Sequence, residues 1–280
     1  MTEDESVVST GGETFSRREF FQGAQFRIRP SVLELERNVL IPGDRFQPFC
    51  NEDVFCDEYR LFTPGAKTPL KTRMIEAPLS RLAPLHLLLG RAQMLDTFAA
   101  ESEENRLRLR HAGRTSNAVM EISAYDMTEF YRTAGFRRGD SLIVTVEDWN
   151  DCRFSLEYRP RELDPSAAEK NDWIGKYEKA LLEVCEAERD YYEIPHQLMF
   201  GFWYANKQGN DLRKNPAVSF DEYRDDMREI VIRTEGVDWV LAPADDADVP
   251  GMDDHASDHA HGHSCECGCG HDHAHDHDHG

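Results

Sequence analysis

NAVMEISAYDMTEFYRTAGFRRGDSLIVTVEDWNDCRFSLEY, residues 117–158, changes its period along its length and so decides the fold class. NAVMEIS reads as a strand. Asp126-Met127-Thr128-Glu129 has the spacing of a capping box opening a short helix, and Gly135 supplies the stop. After Gly135-Phe136-Arg137-Arg138-Gly139-Asp140, the segment SLIVTVED alternates as a half-buried strand does. Trp149-Asn150-Asp151 turns the chain into CRFSLEY, the expected hairpin partner. A strand, a short helix and two further strands predict a mixed α+β domain.

Upstream, residues 1–16 are polar with a Gly-Gly pair and are expected to be mobile. FFQGAQFRIRP reads as a strand ending at Pro30, and Ser31–Asn38 fits either a short helix or a strand. Pro42-Gly43-Asp44 marks a turn, and NEDVFCDEYRLFTPG a strand leading to another at Pro64-Gly65. Between Ala77 and Ser102, Leu85, Leu88, Leu89, Ala92, Leu95, Phe98 and Ala99 recur at helical spacing, with Ser80 as cap and Pro84 in an early turn. His86 lies in this apolar run, where a buried histidine bonded to a backbone group is expected.

Arg106-Leu107-Arg108-Leu109-Arg110 alternates strictly, which as a strand would put three guanidiniums on one face. His111 and Arg114 extend the positive surface. The preferred reading is the solvated face of a half-buried strand; the other is an anion or nucleic-acid contact strip. The order strand, helix, GFRRGD, strand, strand is similar in pattern to B3-like DNA-binding pseudobarrels and to some swapped-hairpin barrels. That resemblance implies a barrel-like N-terminal domain. Arg106, Arg108, Arg110, Arg137 and Arg138 would then be its nucleic-acid contacts.

Downstream, EYRPREL (157–163) marks a boundary, and Asp164-Pro165 is the signature of a helix start. That helix is expected to reach Tyr191, with Trp173, Tyr177, Ala180, Leu181, Val184 and Cys185 on its inner face. A second begins at Pro195 and ends by Gly209; its Phe200, Phe202, Trp203 and Tyr204 spread around the axis, demanding a core or a partner. Ser219-x-x-Glu222 caps a third, expected to reach Arg233, and VDWVLAP adds an edge strand or docking segment. The expected organisation is a mobile segment 1–16, an α+β domain 17–160, a helical subdomain 161–243 and a disordered tail 244–280.

The net charge of −21 is uneven. Residues 1–160 hold 21 basic against 25 acidic side chains, while residues 244–280 hold ten acids and no bases. Broad attraction to nucleic acid or an anionic membrane is therefore not expected. No hydrophobic signal segment opens the chain, and no apolar run approaches bilayer length. Cys50, Cys56, Cys152 and Cys185 lack a disulfide-rich spacing, so reduced thiols in the cytoplasm are expected.

The tail reads MDDHASDHAHGHSCECGCGHDHAHDHDHG from Met252, and holds nine of the chain's 12 histidines and three of its seven cysteines. Imidazole and thiolate bind late first-row divalent ions. The donors are His255, His259, His261, His263, Cys265, Cys267, Cys269, His271, His273, His275, His277 and His279. Small and acidic residues between them cannot build a core, so interchangeable sites on a flexible chain are expected rather than one rigid cage. Zinc or nickel is the expected ion, and copper(I) a further candidate for the three thiols. The tail resembles the His-rich, Cys-containing tails of metallochaperones, SlyD-type prolyl isomerases and hydrogenase-maturation GTPases. That resemblance implies storage or delivery of metal, and nothing about the body.

The sequence holds no phosphate-binding loop, G-x-G-x-x-G, nucleophile elbow or H-E-x-x-H, and His86, His111 and His196 show no ligand spacing. The first expectation is a metal-buffering or delivery protein, not an enzyme, whose helical subdomain docks a client. The second is a nucleic-acid-binding adaptor with metal as effector. The third is an enzyme with a metal in its body.

Overall fold

The computed structural model describes residues 7–10, 13–51, 54, 56–86, 91–111, 118–187, 193–235 and 238–245, all within the unit Met1–Asp248. The chain begins β1 (Val7–Thr10), β2 (Glu13–Ser16), α1 (Arg17–Phe21), β3 (Gln25–Ile28), α2 (Val32–Arg37) and β4 (Val39–Leu40). A 3-10 turn over Gly43–Phe49 precedes β5 (Arg60–Phe62), β6 (Thr72–Pro78), α3 (Leu79–Leu82), a second 3-10 turn (Ala83–Leu85), α4 (Arg91–Glu101) and α5 (Glu103–His111). Then come β7 (Val119–Asp126), α6 (Thr128–Ala134), β8 (Ser141–Asp148) and β9 (Arg153–Arg159). The last described elements are α7 (Ala167–Ala187), α8 (Ile194–Lys207), α9 (Phe220–Asp225), β10 (Ile230–Glu235) and β11 (Asp238–Pro243).

The stretch 117–158 forms β7, α6, β8 and β9 in the expected order. Gly135 adopts φ 63°, the left-handed stop that glycine takes without a Cβ penalty. The expected capping box at 126–129 does not form, because Met127 is the N-cap of α6 and has no side-chain cap bond. Asp126 Oδ1 accepts from the Thr128 amide at 3.0 Å, while Glu129 turns away to pair with Arg132. β8 and β9 form an antiparallel hairpin inside a four-stranded sheet ordered β3-β8-β9-β5, whose β5–β9 pairing is parallel. β7 lies in a separate antiparallel sheet, β4-β7-β6. Among the described residues these sheets do not close into a barrel.

Two cores follow. The smaller collects Met120, Ile122 and Ala124 of β7, Ile75 and Ala77 of β6, and Leu95 and Phe98 of α4. The larger takes Leu142, Val144 and Val146 of β8 with Trp173, Tyr177 and Leu181 of α7 and Phe200 and Phe202 of α8. Alternation along β4 and the residue after it serves both: Val39 and Ile41 enter the smaller core and Leu40 the larger. Side chains from 17–160 and from 161–243 thus share one core, and Phe200, Phe202 and Tyr204 are core rather than interface.

Other expectations need correction. Residues 7–10 and 13–16 pair as a hairpin, because Phe15 anchors them by stacking on Trp203 at 4.1 Å. The 20–30 segment divides between α1 and β3. Ser31–Asn38 resolves as helix, its capping box complete between Ser31 and Glu34. The single helix expected over 77–102 is α3, a 3-10 turn and α4. Ser166, not Asp164, caps α7, its Oγ accepting from the Glu169 amide at 3.3 Å. Asp164 serves instead as acceptor for Arg27 (2.9 Å) and Arg29 (2.5 Å). The third helix stops at Asp225, and β-branched Ile230, Val231 and Ile232 form β10 against β11.

Candidate functional site

The site starts from a buried ion pair. Glu34 is fully buried at the base of α2, and Arg45 is 3 % exposed. Glu34 Oε1 accepts from Arg45 Nη2 at 2.7 Å and from the Ile41 amide at 2.9 Å, while Oε2 takes the Ser31 amide at 2.7 Å. These bonds satisfy the carboxylate and pin the turn Gly43–Phe49. Gly43 sits at φ 56°, and a Cβ there would stand 2.1 Å from the Leu85 carbonyl oxygen. Only glycine allows this approach, which places the next residue, His86.

Beside this contact lies a cavity of about 570 Å³. Its wall carries Cys50, Cys56 and Tyr59 from the segment after the turn, His86, Glu101 of α4, and His196 and Met199 of α8. Asp57 and Glu58 stand exposed on the lining, with no ion-pair partner among the described residues. Among the described residues Glu193 adds a fourth carboxylate against one guanidinium, Arg17, which lies 4.7 Å from the Trp149 ring centroid. The described lining is acidic.

His86 is 5 % exposed, its ring edge-on to Phe98 at 4.9 Å, and its Nε2 is buried without a hydrogen-bond partner. Burial, with a smaller push from Arg45, lowers its pKa to about 4, so the imidazole is neutral. The Cys56 thiol is pushed up to about 12 by burial and then by Glu101 and Asp57. Burial likewise raises Cys50, whose thiol donates to the Tyr59 hydroxyl at 3.2 Å and contacts the Cys152 thiol. Cys152 shifts down because its thiolate would accept from Cys50, and its backbone is left-handed at φ 43°. Glu101 is raised by burial, a shift its bond from the Ser123 amide only partly offsets. The protonated Cys50 and Cys56 thiols and a neutral imidazole suit binding better than nucleophilic attack.

The tail donors His255, His259, His261, His263, Cys265, Cys267, Cys269, His271, His273, His275, His277 and His279 lie outside the described residues. Among the described residues, no three His, Cys, Asp or Glu side chains group to hold one ion. The strand expected at 106–110 is α5. There, residues two apart point about 200° apart, so Arg108 faces away from Arg106 and Arg110, which stand one turn apart, and the three do not form one strip. Arg106 pairs with Glu103 at 2.8 Å, and Arg108 with Glu76 at 2.9 Å and Glu104 at 3.1 Å. Arg137 and Arg138 are exposed in the turn between α6 and β8.

His86 is buried as expected, but it lacks the expected partner at Nε2. The convergence of Cys50, Cys56, His86, Glu101 and His196 went unread because they lie on four separate chain segments. No described helix is long and apolar enough to cross a membrane. Comparison with protein-family models, characterised proteins and solved structures gives no match.

Proposed function

We propose that the protein binds zinc or nickel through its C-terminal tail and buffers or delivers the ion in the cytoplasm, with the body docking a client. The observation that carries this reading is the density of donors, nine imidazoles and three thiols within residues 255–279. Copper(I) is the alternative cargo for Cys265, Cys267 and Cys269. Ligation requires neutral imidazole and thiolate, so binding releases protons. Zinc titration of the full chain should lose affinity as pH falls through about 6.5, the ordinary imidazole value. Affinity that is flat between pH 5 and pH 7.5 would refute the reading. The nucleic-acid reading draws no support from α5, where Arg106 and Arg108 are already paired with carboxylates.

A further inference from the structure

Metal binding by the tail leaves the body's own thiols unexplained, although the fold brings two of them into contact. We propose that Cys50 and Cys152 are a redox-active pair, which hydrogen peroxide joins in a reversible disulfide.

The contact is built by the backbone. The Asn51 amide donates to the Trp149 carbonyl at 3.3 Å, and the Arg60 amide to the Cys152 carbonyl at 3.0 Å. Cys152 Sγ lies 3.5 Å from the carbonyl oxygen of Asn51, the residue after Cys50. These bonds hold the segment after the Gly43–Phe49 turn against the turn between β8 and β9, and the Cys50 thiol bonds to the Cys152 sulfur between them. A disulfide forms only where two chain segments already lie this close. Cys152 also sits at φ 43°, a conformation that a residue with a Cβ seldom adopts unless its surroundings impose it. Its neighbours Asn150, Asp151 and Arg153 are exposed, so the turn that carries it reaches the surface. A small opening of such a turn admits an oxidant close to water in size.

The two thiols divide the chemistry. The bond from Cys50 lowers the pKa of Cys152, and the Asn51 backbone adds to the effect, which makes Cys152 the attacking thiol. Burial keeps Cys50 protonated, as the resolving thiol. Cys152 loses its proton, and the thiolate attacks one peroxide oxygen. An S–O bond forms, the O–O bond breaks, and the leaving hydroxide takes up that proton as water. The Cys50 sulfur then attacks the sulfenic acid of Cys152. The S–S bond forms, the S–O bond breaks, and the hydroxyl leaves with the Cys50 proton as a second water. Two electrons pass from the two sulfurs to the peroxide, and a small dithiol reverses the change by exchange. Cys56, whose thiol is pushed up to about 12, takes no part.

The test is a disulfide map of the full-length chain, reduced, kept metal-free by chelator and treated with hydrogen peroxide. Remaining thiols are alkylated in urea before digestion with trypsin. Cleavage after Arg and Lys puts Cys50 and Cys56 in peptide 46–60 and Cys152 in 139–153. Residues 234–280 contain no Lys or Arg, so the tail thiols stay together in a separate peptide. Peptides 46–60 and 139–153 should be joined, with fragmentation placing the bond at Cys50 and with Cys56 and Cys185 alkylated. The link should form at least tenfold faster in the folded chain than in urea, and dithiothreitol should remove it. In Cys50→Ser, which has no resolving thiol, Cys152 should instead gain two oxygens as sulfinic acid. Full alkylation of both peptides after peroxide, a link through Cys56, equal rates with and without urea, or an unoxidised Cys152 in Cys50→Ser would overturn the proposal.

Discussion

At the scale of single residues, the structure turns on charged and polar groups taken out of water. Glu34 and Arg45 are each nearly or fully buried and pair with one another. Removing one partner leaves the other charge stranded. Glu34→Ala is therefore expected to cost about 3–5 kcal/mol in denaturant unfolding, and a loss under 1 kcal/mol would contradict this reading. His86 makes a pH prediction. Its folded pKa of about 4 lies below the ordinary imidazole value of 6.5, so the neutral form favours the fold. Stability should be complete above about pH 6.5 and fall by roughly 3 kcal/mol towards pH 4, with Arg45 the charged group that resists protonation. In His86→Phe that part of the decline should vanish; an unchanged pH profile would show that His86 titrates normally. Nothing in the sequence around His86 marks its orphaned nitrogen. Burial was legible from the leucines beside it, but an unmet hydrogen bond depends on neighbours far along the chain.

At the scale of elements, legibility followed local chemistry. The period change in 117–158 and the box Ser219-x-x-Glu222 are signals contained within a few residues, and they became β7–β9 and α9. Arg106–Arg110 misled because two-residue alternation is also compatible with a helix that has partners for its charges. Ser102 Oγ accepts the Asn105 amide at 3.1 Å, and Glu103 and Glu104 stand one turn before Arg106 and Arg108. A Ser followed by acids in the first turn was the available sign of a helix start. Asp164 misled in the opposite way, since its carboxylate is drawn from the cap to Arg27 and Arg29 across the chain. The close pairing of α7 and α8 rests on Gly201, where a Cβ would lie 2.7 Å from Leu181 Cδ2 and 2.9 Å from Tyr177 Cε2. Gly201→Ala should lower stability by about 1–3 kcal/mol through overpacking, despite alanine's better helix propensity. A stabilised variant would contradict that contact.

At the scale of the whole molecule, the boundary read at 160/161 separates two compositions that meet in one core. Arg27 of β3, Arg29 just after it, Asp164, Lys170 of α7 and Glu222 of α9 add a network of ion pairs across it. Residues 17–243 are therefore expected to unfold in one cooperative transition by circular dichroism and tryptophan fluorescence alike. Two separated transitions would show that the segments stand alone. The cavity depends on this packing, which brings Cys50, Cys56, His86, Glu101 and His196 to one wall, and no local pattern encodes that. The tail donors lie outside the described residues, and the proposal about them rests on residue type and contiguity in the sequence alone. The measurement that bears most directly on the central claim is the number of zinc or nickel ions bound per chain, by metal analysis after dialysis. It should be made on the full protein and on a chain ending at Pro250. Several ions on the full chain and their loss on truncation are expected; an unchanged number on the shortened chain would contradict the account.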